Sequence, residues 1–204
     1  MNEIKRVIVE GEDLTSGLRR GIDKLANTVK TTMGPKGKLV LIERPGQHPI
    51  ITKDGVTVAN AVNLEDEVEN LGAQVIKESA SRTAEEAGDG TTTATVLAQS
   101  IYNEGLKMLS AGFDSVGIKS GMQKALNLVV SEVEKSAQKI KDSNDLRKVA
   151  MISANGEEDI ANLIVEAIEV SGEDGHVIVE EAKGFKTNLE KVSGTRIDRG
   201  FISS

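Results

Sequence analysis

Residues 88–95 read Gly-Asp-Gly-Thr-Thr-Thr-Ala-Thr, a carboxylate between two glycines followed by a run of hydroxyl side chains. Glycines let a backbone approach a ligand closely, because no Cβ stands in the way. A helix opening at Thr91 would present unpaired N–H groups and the positive end of its dipole, which favours phosphate. Asp89 beside such a site would repel phosphate unless a divalent cation stood between them. These features suggest a magnesium–nucleotide site. The same residues also make a plain turn with Thr91 capping the next helix. Partners elsewhere in the chain must decide.

Two further segments offer such partners. Thr32-Met33-Gly34-Pro35 reads as a helix end followed by a turn, and Lys53-Asp54-Gly55 closes an apolar run. Asp54 and Asp89 supply two hard oxygen donors, which suits magnesium held by few carboxylates plus phosphate oxygens and water. Asp54 could instead position an attacking water, a role phosphoryl transfer requires of some residue. Lys53 adds a positive charge, and the amides and hydroxyls of Thr91, Thr92 and Thr93 would cradle phosphate. Taken singly, each segment is as well explained as a helix stop or a turn. Neither the G-x-x-x-x-G-K-[ST] loop nor the G-x-G-x-x-G fingerprint occurs.

The elements that must hold these turns follow from periodicity. Leu14, Leu18, Ile22, Leu25, Val29 and Met33 recur at spacings of three and four, an amphipathic helix ended by Gly34 and Pro35. Residues 38–43 and 49–52 predict a β-hairpin, and residues 5–10 a short strand. A lone hairpin is marginal, so pairing with strands of another subunit is expected. Leu64, Val68, Leu71, Val75 and Ala80 mark one face of a long helix over 64–87. Ala94, Leu97, Ile101 and Met108 line the next, from Thr91 to Gly112. Met122, Leu126, Val129, Val133, Ala137 and Ile140 line a third, over 115–141. After a polar boundary at 142–145, two shorter helices are expected at 146–152 and 157–170. Strands are expected at 176–180 and 189–192. The fold class is mainly α with small β elements: a helical bundle, then a smaller α+β unit from about residue 138.

Composition narrows the function. The chain has 204 residues, with 25 Lys plus Arg against 32 Asp plus Glu, a net charge of −7. That balance, with only Tyr102, Phe113, Phe185 and Phe201 as aromatics, argues against nucleic-acid binding. The core must be aliphatic. No cysteine is present and the two histidines, His48 and His176, stand far apart, so disulfide, thiolate and zinc chemistry are not indicated. No run approaches the ~20 apolar residues of a membrane span, and residues 1–6 lack the apolar stretch of a secretory signal. A cytoplasmic protein is expected.

Three blocks occur in order: 32–37 (Thr-Met-Gly-Pro-Lys-Gly), 51–56 (Ile-Thr-Lys-Asp-Gly-Val) and 88–97 (Gly-Asp-Gly-Thr-Thr-Thr-Ala-Thr-Val-Leu). The set resembles the signature of the group I, bacterial-type (GroEL-like) chaperonins. Ile152-Ser153-Ala154-Asn155 and Asp198-Arg199-Gly200-Phe201 resemble two further blocks. Met33 stands where the family usually has leucine, a volume-conserving change, and the segment before Leu14 matches poorly. The resemblance implies an equatorial ATP-binding domain over 1–137, the first half of an intermediate hinge domain over 138–192, and the start of an apical domain at 193–204. It implies nucleotide contacts from Thr32, Met33, Gly34, Pro35, Lys53, Asp89, Gly90, Thr91, Thr92, Thr93 and Ser153. Magnesium is implied at Asp54 and Asp89, with Asp54 also serving hydrolysis, and potassium as a further ion. The implied partners are further copies in a ring, unfolded clients and a co-chaperonin, with neither nucleic acid nor membrane.

The apical groove, the returning intermediate segment and the C-terminal equatorial half would all lie beyond Ser204. If nothing followed Ser204, half a pocket would leave weak nucleotide binding and no useful turnover. The chain would then act as a non-catalytic module joining chaperonin rings through its strand and hairpin. An unrelated kinase or ATPase sharing the Gly-Asp-Gly-Thr turn would need another catalytic constellation, and the sequence offers none.

Overall fold

The computed structural model describes residues 8–172, 175–180, 184, 187–192 and 194. Two compact units divide the chain, Met1–Glu132 and Val133–Ser204.

In the first unit, α1 (Gly11–Lys30) is followed by an antiparallel hairpin of β1 (Val40–Ile42) and β2 (Ile50–Thr52). Then come α2 (Gly55–Ala61), α3 (Glu67–Ala87), α4 (Thr91–Ser110) and α5 (Ser115–Ser136). The core lies where α1, α2 and α3 meet: Ile22, Leu25, Val29, Val58, Ala59, Ala73 and Ile76 form one buried cluster. Val40, Ile42, Leu64 and Tyr102 pack on its margin. In the hairpin Leu41 faces Ile51 across the ladder, and both remain exposed, because alternate strand residues turn to opposite faces.

Contact between α1 and α3 depends on missing side chains. A Cβ on Gly21 would fall 1.8 Å from the Glu69 carbonyl oxygen, and one on Gly72 would fall 2.2 Å from that of Leu18. Glycine lets the two backbones touch. At the start of α3, Asp66 accepts from the amides of Val68 and Glu69, capping the helix. Glu69 itself is buried, taking Arg20 Nε at 2.7 Å and Lys24 Nζ at 2.5 Å. Hydrogen bonds from Lys24 and then Arg20 hold its carboxyl below the ordinary glutamate range.

Helix α2 is the element the periodicity does not reveal. Seven residues containing Val56, Thr57 and Val58 are too few and too β-branched to read as helix. It forms because both ends are tied. Asp54 caps its first turn. At the other end Lys77 of α3 extends Nζ to the Asn60 carbonyl at 3.3 Å and to Asn63 Oδ1 at 3.4 Å. Burial lowers the Lys77 pKa.

The buried faces differ from the expected stripes. On α3, Leu71 and Val75 are exposed, while Gly72, Ala73, Ile76 and Ala80 are buried. On α4, Leu97, Ile101 and Met108 are exposed, while Thr91, Thr95, Gln99 and Gly105 are buried. Apolar periodicity locates a stripe, but backbone-close packing selects the small residues beside it. Helix α5 ends at Ser136, short of residue 141, and buries no residue; Met122, Leu126, Val129 and Val133 are exposed.

The second unit pairs α6 (Ser143–Ser153) with α7 (Glu158–Ser171) around Ala150, Ala161 and Val165. Asp142 caps α6, and Arg147 pairs with Glu158 across the turn. That turn passes through Asn155 and Gly156, both at positive φ, which asparagine tolerates better than most residues.

Residues 176–180 and 189–192, expected as strands, are extended but not strands. A strand exists through a ladder with a neighbour, and among the described residues the hairpin is the sheet that has one. Residues 8–10 of the expected first strand are likewise without a ladder, and the rest of that segment lies outside the described residues, as does the block at 198–201. Mainly helical architecture with a small antiparallel sheet otherwise matches the sequence reading.

Candidate functional site

Each of the three turns singled out by sequence is built by a local rule. Helix α1 runs out at Lys30, and Thr32, buried, donates Oγ1 to the Val29 carbonyl at 2.8 Å. Gly34 then takes φ 75°. Gly37 N donates back to Gly34 O at 2.9 Å, and Lys38 N to Thr31 O at 2.8 Å, closing the turn. Met33 and Pro35 are exposed on it.

The second turn follows β2. Asp54 N donates to Thr52 Oγ1 at 3.0 Å, and Asp54 Oδ2 accepts from Thr57 N at 2.8 Å and Thr57 Oγ1 at 2.6 Å. One carboxylate oxygen is thereby fixed by α2, and Oδ1 is left open to solvent chemistry. The third turn links α3 to α4. Gly88 ends α3 at φ 72° and Gly90 opens α4 at φ 85°. Asp89 stands exposed between them, with Oδ1 accepting from Gly90 N at 2.5 Å.

The start of α4 is unlike those of α2, α3 and α6. Its cap residue is glycine and offers no side-chain acceptor. The first bonded amide is Ala94, donating to Gly90 O at 2.9 Å. Among the described residues the amides of Thr91, Thr92 and Thr93 have no acceptor, so a full turn of N–H groups is available to an anion.

Close backbone approaches bring the turns together. A Cβ on Gly55, beside Asp54, would fall 2.0 Å from Thr92 Oγ1 and 3.4 Å from Val29 Cγ1. The second turn therefore rests on the first turn of α4 and the last of α1. A Cβ on Gly37 would fall 2.1 Å from the Thr32 carbonyl oxygen and 2.9 Å from Lys53 Cε. The Lys53 stem thus lies over the first turn. Thr32–Pro35, Lys53–Asp54 and Asp89–Thr93 gather at one end of the α1–α4 pair. Ser153 closes α6 in the second unit, exposed.

The donor set fits a nucleotide carrying a hard cation: two exposed carboxylates, each with one oxygen uncommitted, beside uncapped amides and one lysine. Among the described residues no group of three or more His, Cys, Asp or Glu converges, so a cation here would lean on phosphate oxygens and water. A surface depression lined by Lys24, Asn63, Leu64, Glu65, Asp66 and Glu69 involves none of these residues.

The model of the TCP-1/cpn60 chaperonin family matches residues 25–204. This chain is a chaperonin-family member. The chaperonin gp146 of bacteriophage EL 2 (Pseudomonas aeruginosa), crystallised in the presence of ATP-BeFx, is similar in both of its crystal forms. Each has 33% identity and a TM-score of 0.65, over 78% of this chain and 28% of that one. A group III chaperonin in its open state has 28% identity and a TM-score of 0.64, over 78% of this chain and 32% of that one. The chaperonin chain described here spans less than a third of the length of these relatives. No helix among the described residues is long and apolar enough to cross a membrane.

Proposed function

We propose that this chain is the N-terminal portion of an ATP-dependent group I chaperonin subunit, with its nucleotide held by the three gathered turns. One observation carries the reading: Gly55 lies against Thr92, and Lys53 lies over the Thr32 turn, beside the uncapped start of α4. The amides and hydroxyls of Thr91, Thr92 and Thr93 bind phosphate, and Lys53 neutralises it. Thr32, Met33, Gly34 and Pro35 wall the site, Gly90 gives the backbone clearance to approach phosphate, and Ser153 contributes from the second unit. Asp54 and Asp89 hold magnesium, which supplies positive charge to the phosphate oxygens. Asp54, fixed by Thr57, also orients the attacking water. The domain reading follows: equatorial over 1–137, intermediate over 138–192, apical from 193. The whole protein assembles as a ring in the cytoplasm and uses ATP turnover to assist the folding of unfolded clients with a co-chaperonin; potassium is a further ion.

Calorimetric titration of ATP with and without magnesium tests the site. Binding should require magnesium, and Asp89→Ala should weaken it by roughly tenfold, the worth of one charge-assisted contact. Binding indifferent to both magnesium and Asp89 would sink the reading.

The exposed apolar hairpin surface of Leu39, Leu41 and Ile51 supports a second reading, a non-catalytic module that joins chaperonin rings. Co-assembly with full-length subunits in the absence of ATP turnover would favour it.

A further inference from the structure

Helix α4 turns a polar face to the core. Thr91, Thr95 and Gln99 are buried on it at intervals of four, and Asn103 continues the row. Buried polar groups in an aliphatic bundle are costly unless paired. Here the partners lie on α1. Gln99 Nε2 donates to Asp23 Oδ1 at 2.7 Å and to Asn27 Oδ1 at 3.3 Å. Asn103 Nδ2 donates to the same Asp23 oxygen at 3.2 Å, and Arg19 Nε lies 3.7 Å from Asp23 Oδ2. Thr95 Oγ1 returns to the Thr91 carbonyl at 2.9 Å.

These bonds connect the two helices that end in the site. Asn27 lies five residues before Thr32, and Gln99 eight residues after Thr91, about 12 Å along a helix. Apolar contacts tolerate sliding of one helix along another, whereas a short, directional bond does not. The Gln99 amide, 7% exposed, bridges two α1 side chains one turn apart. That bridge is the arrangement that fixes axial register.

We propose that Gln99 is a positioning residue for the nucleotide. By locking α4 to α1 through Asp23 and Asn27, it sets the offset between the Thr91–Thr93 amides and the Thr32–Pro35 turn. The proposal rests on the nucleotide reading of those turns, and it concerns alignment rather than contact with ligand.

The test uses Gln99→Glu, which sets two carboxylates against each other, and Gln99→Glu with Asp23→Asn, which restores a donor–acceptor pair of opposite sense. Magnesium-ATP affinity is measured by calorimetry. Amide hydrogen exchange is followed at Ala94 and Thr95 of α4, at Gly37 and Lys38 of the first turn, and at Ala73 and Ile76 as reference. The single variant should bind roughly tenfold or more weakly, as a misplacement well under 1 Å can cause. Its exchange should quicken at the two turns and not at the reference amides. The double variant should recover both. A folded single variant with unchanged affinity and exchange overturns the proposal, as does a double variant no better than the single. If the unaltered chain takes no nucleotide, the nucleotide reading falls by itself. The exchange arm still decides the alignment: local quickening reversed in the double variant upholds it, and none overturns it.

Discussion

Helix α1 meets its two long neighbours by opposite means. Against α3 the contact is an absence: Gly21 and Gly72 remove the side chains that would hold the backbones apart. Against α4 the contact is a set of hydrogen bonds from Gln99 and Asn103 to Asp23 and Asn27. Close apposition maximises dispersion and excludes water, so the α1–α3 seam supports stability. Directional bonds contribute less net free energy but define position. One seam keeps the unit folded, and the other aligns the turns at its end.

The contrast breaks most severely at Gly21. Gly21→Ala places a methyl inside the Glu69 backbone, where no rotamer change relieves it. The first unit should lose about 3 kcal/mol or more, the upper range of overpacking, read as a fall in its urea midpoint. A loss under 1 kcal/mol would show that the two helices can separate freely.

A smaller effect is expected at the cap of α3. Asp66→Ala removes the acceptor of the Val68 and Glu69 amides and should cost about 1 kcal/mol. Nucleotide affinity should stay unchanged, because Asp66 belongs to the stability seam. Weakened ATP binding without destabilisation would blur the division between the seams.

Glu69 gives the mildest and most specific test. Its pKa is lowered in the folded state, so its stabilising contribution is present above the unfolded glutamate value. That contribution is lost as pH falls through the folded value. The melting temperature of the first unit should therefore decline below the ordinary glutamate range, and Glu69→Gln should flatten that decline. An unchanged acid slope in the variant would remove Glu69 from the account.

Much of this arrangement can be read from residues alone. The spacing of Ile22, Leu25 and Val29 specifies α1 and its buried face together, because large aliphatic side chains at helical intervals have one good use. The three turns are legible through glycine, proline and carboxylate chemistry at element ends. The faces of α3 and α4 are not. Leu71, Val75, Leu97 and Ile101 carry the strongest apolar signal on their helices, yet they are exposed. Gly72 and Gln99 carry none, yet both are buried at helix contacts. Their roles depend on what stands opposite, Leu18 O in one case and Asp23 in the other, and a linear pattern does not contain that. The same limit hides α2, whose stability is lent by Asp54 and Lys77. The site residues are named by local chemistry, but their gathering rests on the clearances at Gly37 and Gly55, visible only in three dimensions.

Helix α2 has one more consequence. Seven residues span about 10 Å. Its leading end is gripped by Asp54 and its trailing carbonyl by the ammonium of Lys77, a cation where the helix dipole is negative. A rod pinned at both ends transmits displacement rather than absorbing it. Sliding of α3 at Lys77 is passed to the Asp54 carboxylate as a push of similar size. In mechanical terms α2 is a strut, tying the interior of the bundle to the oxygen atom that faces the site.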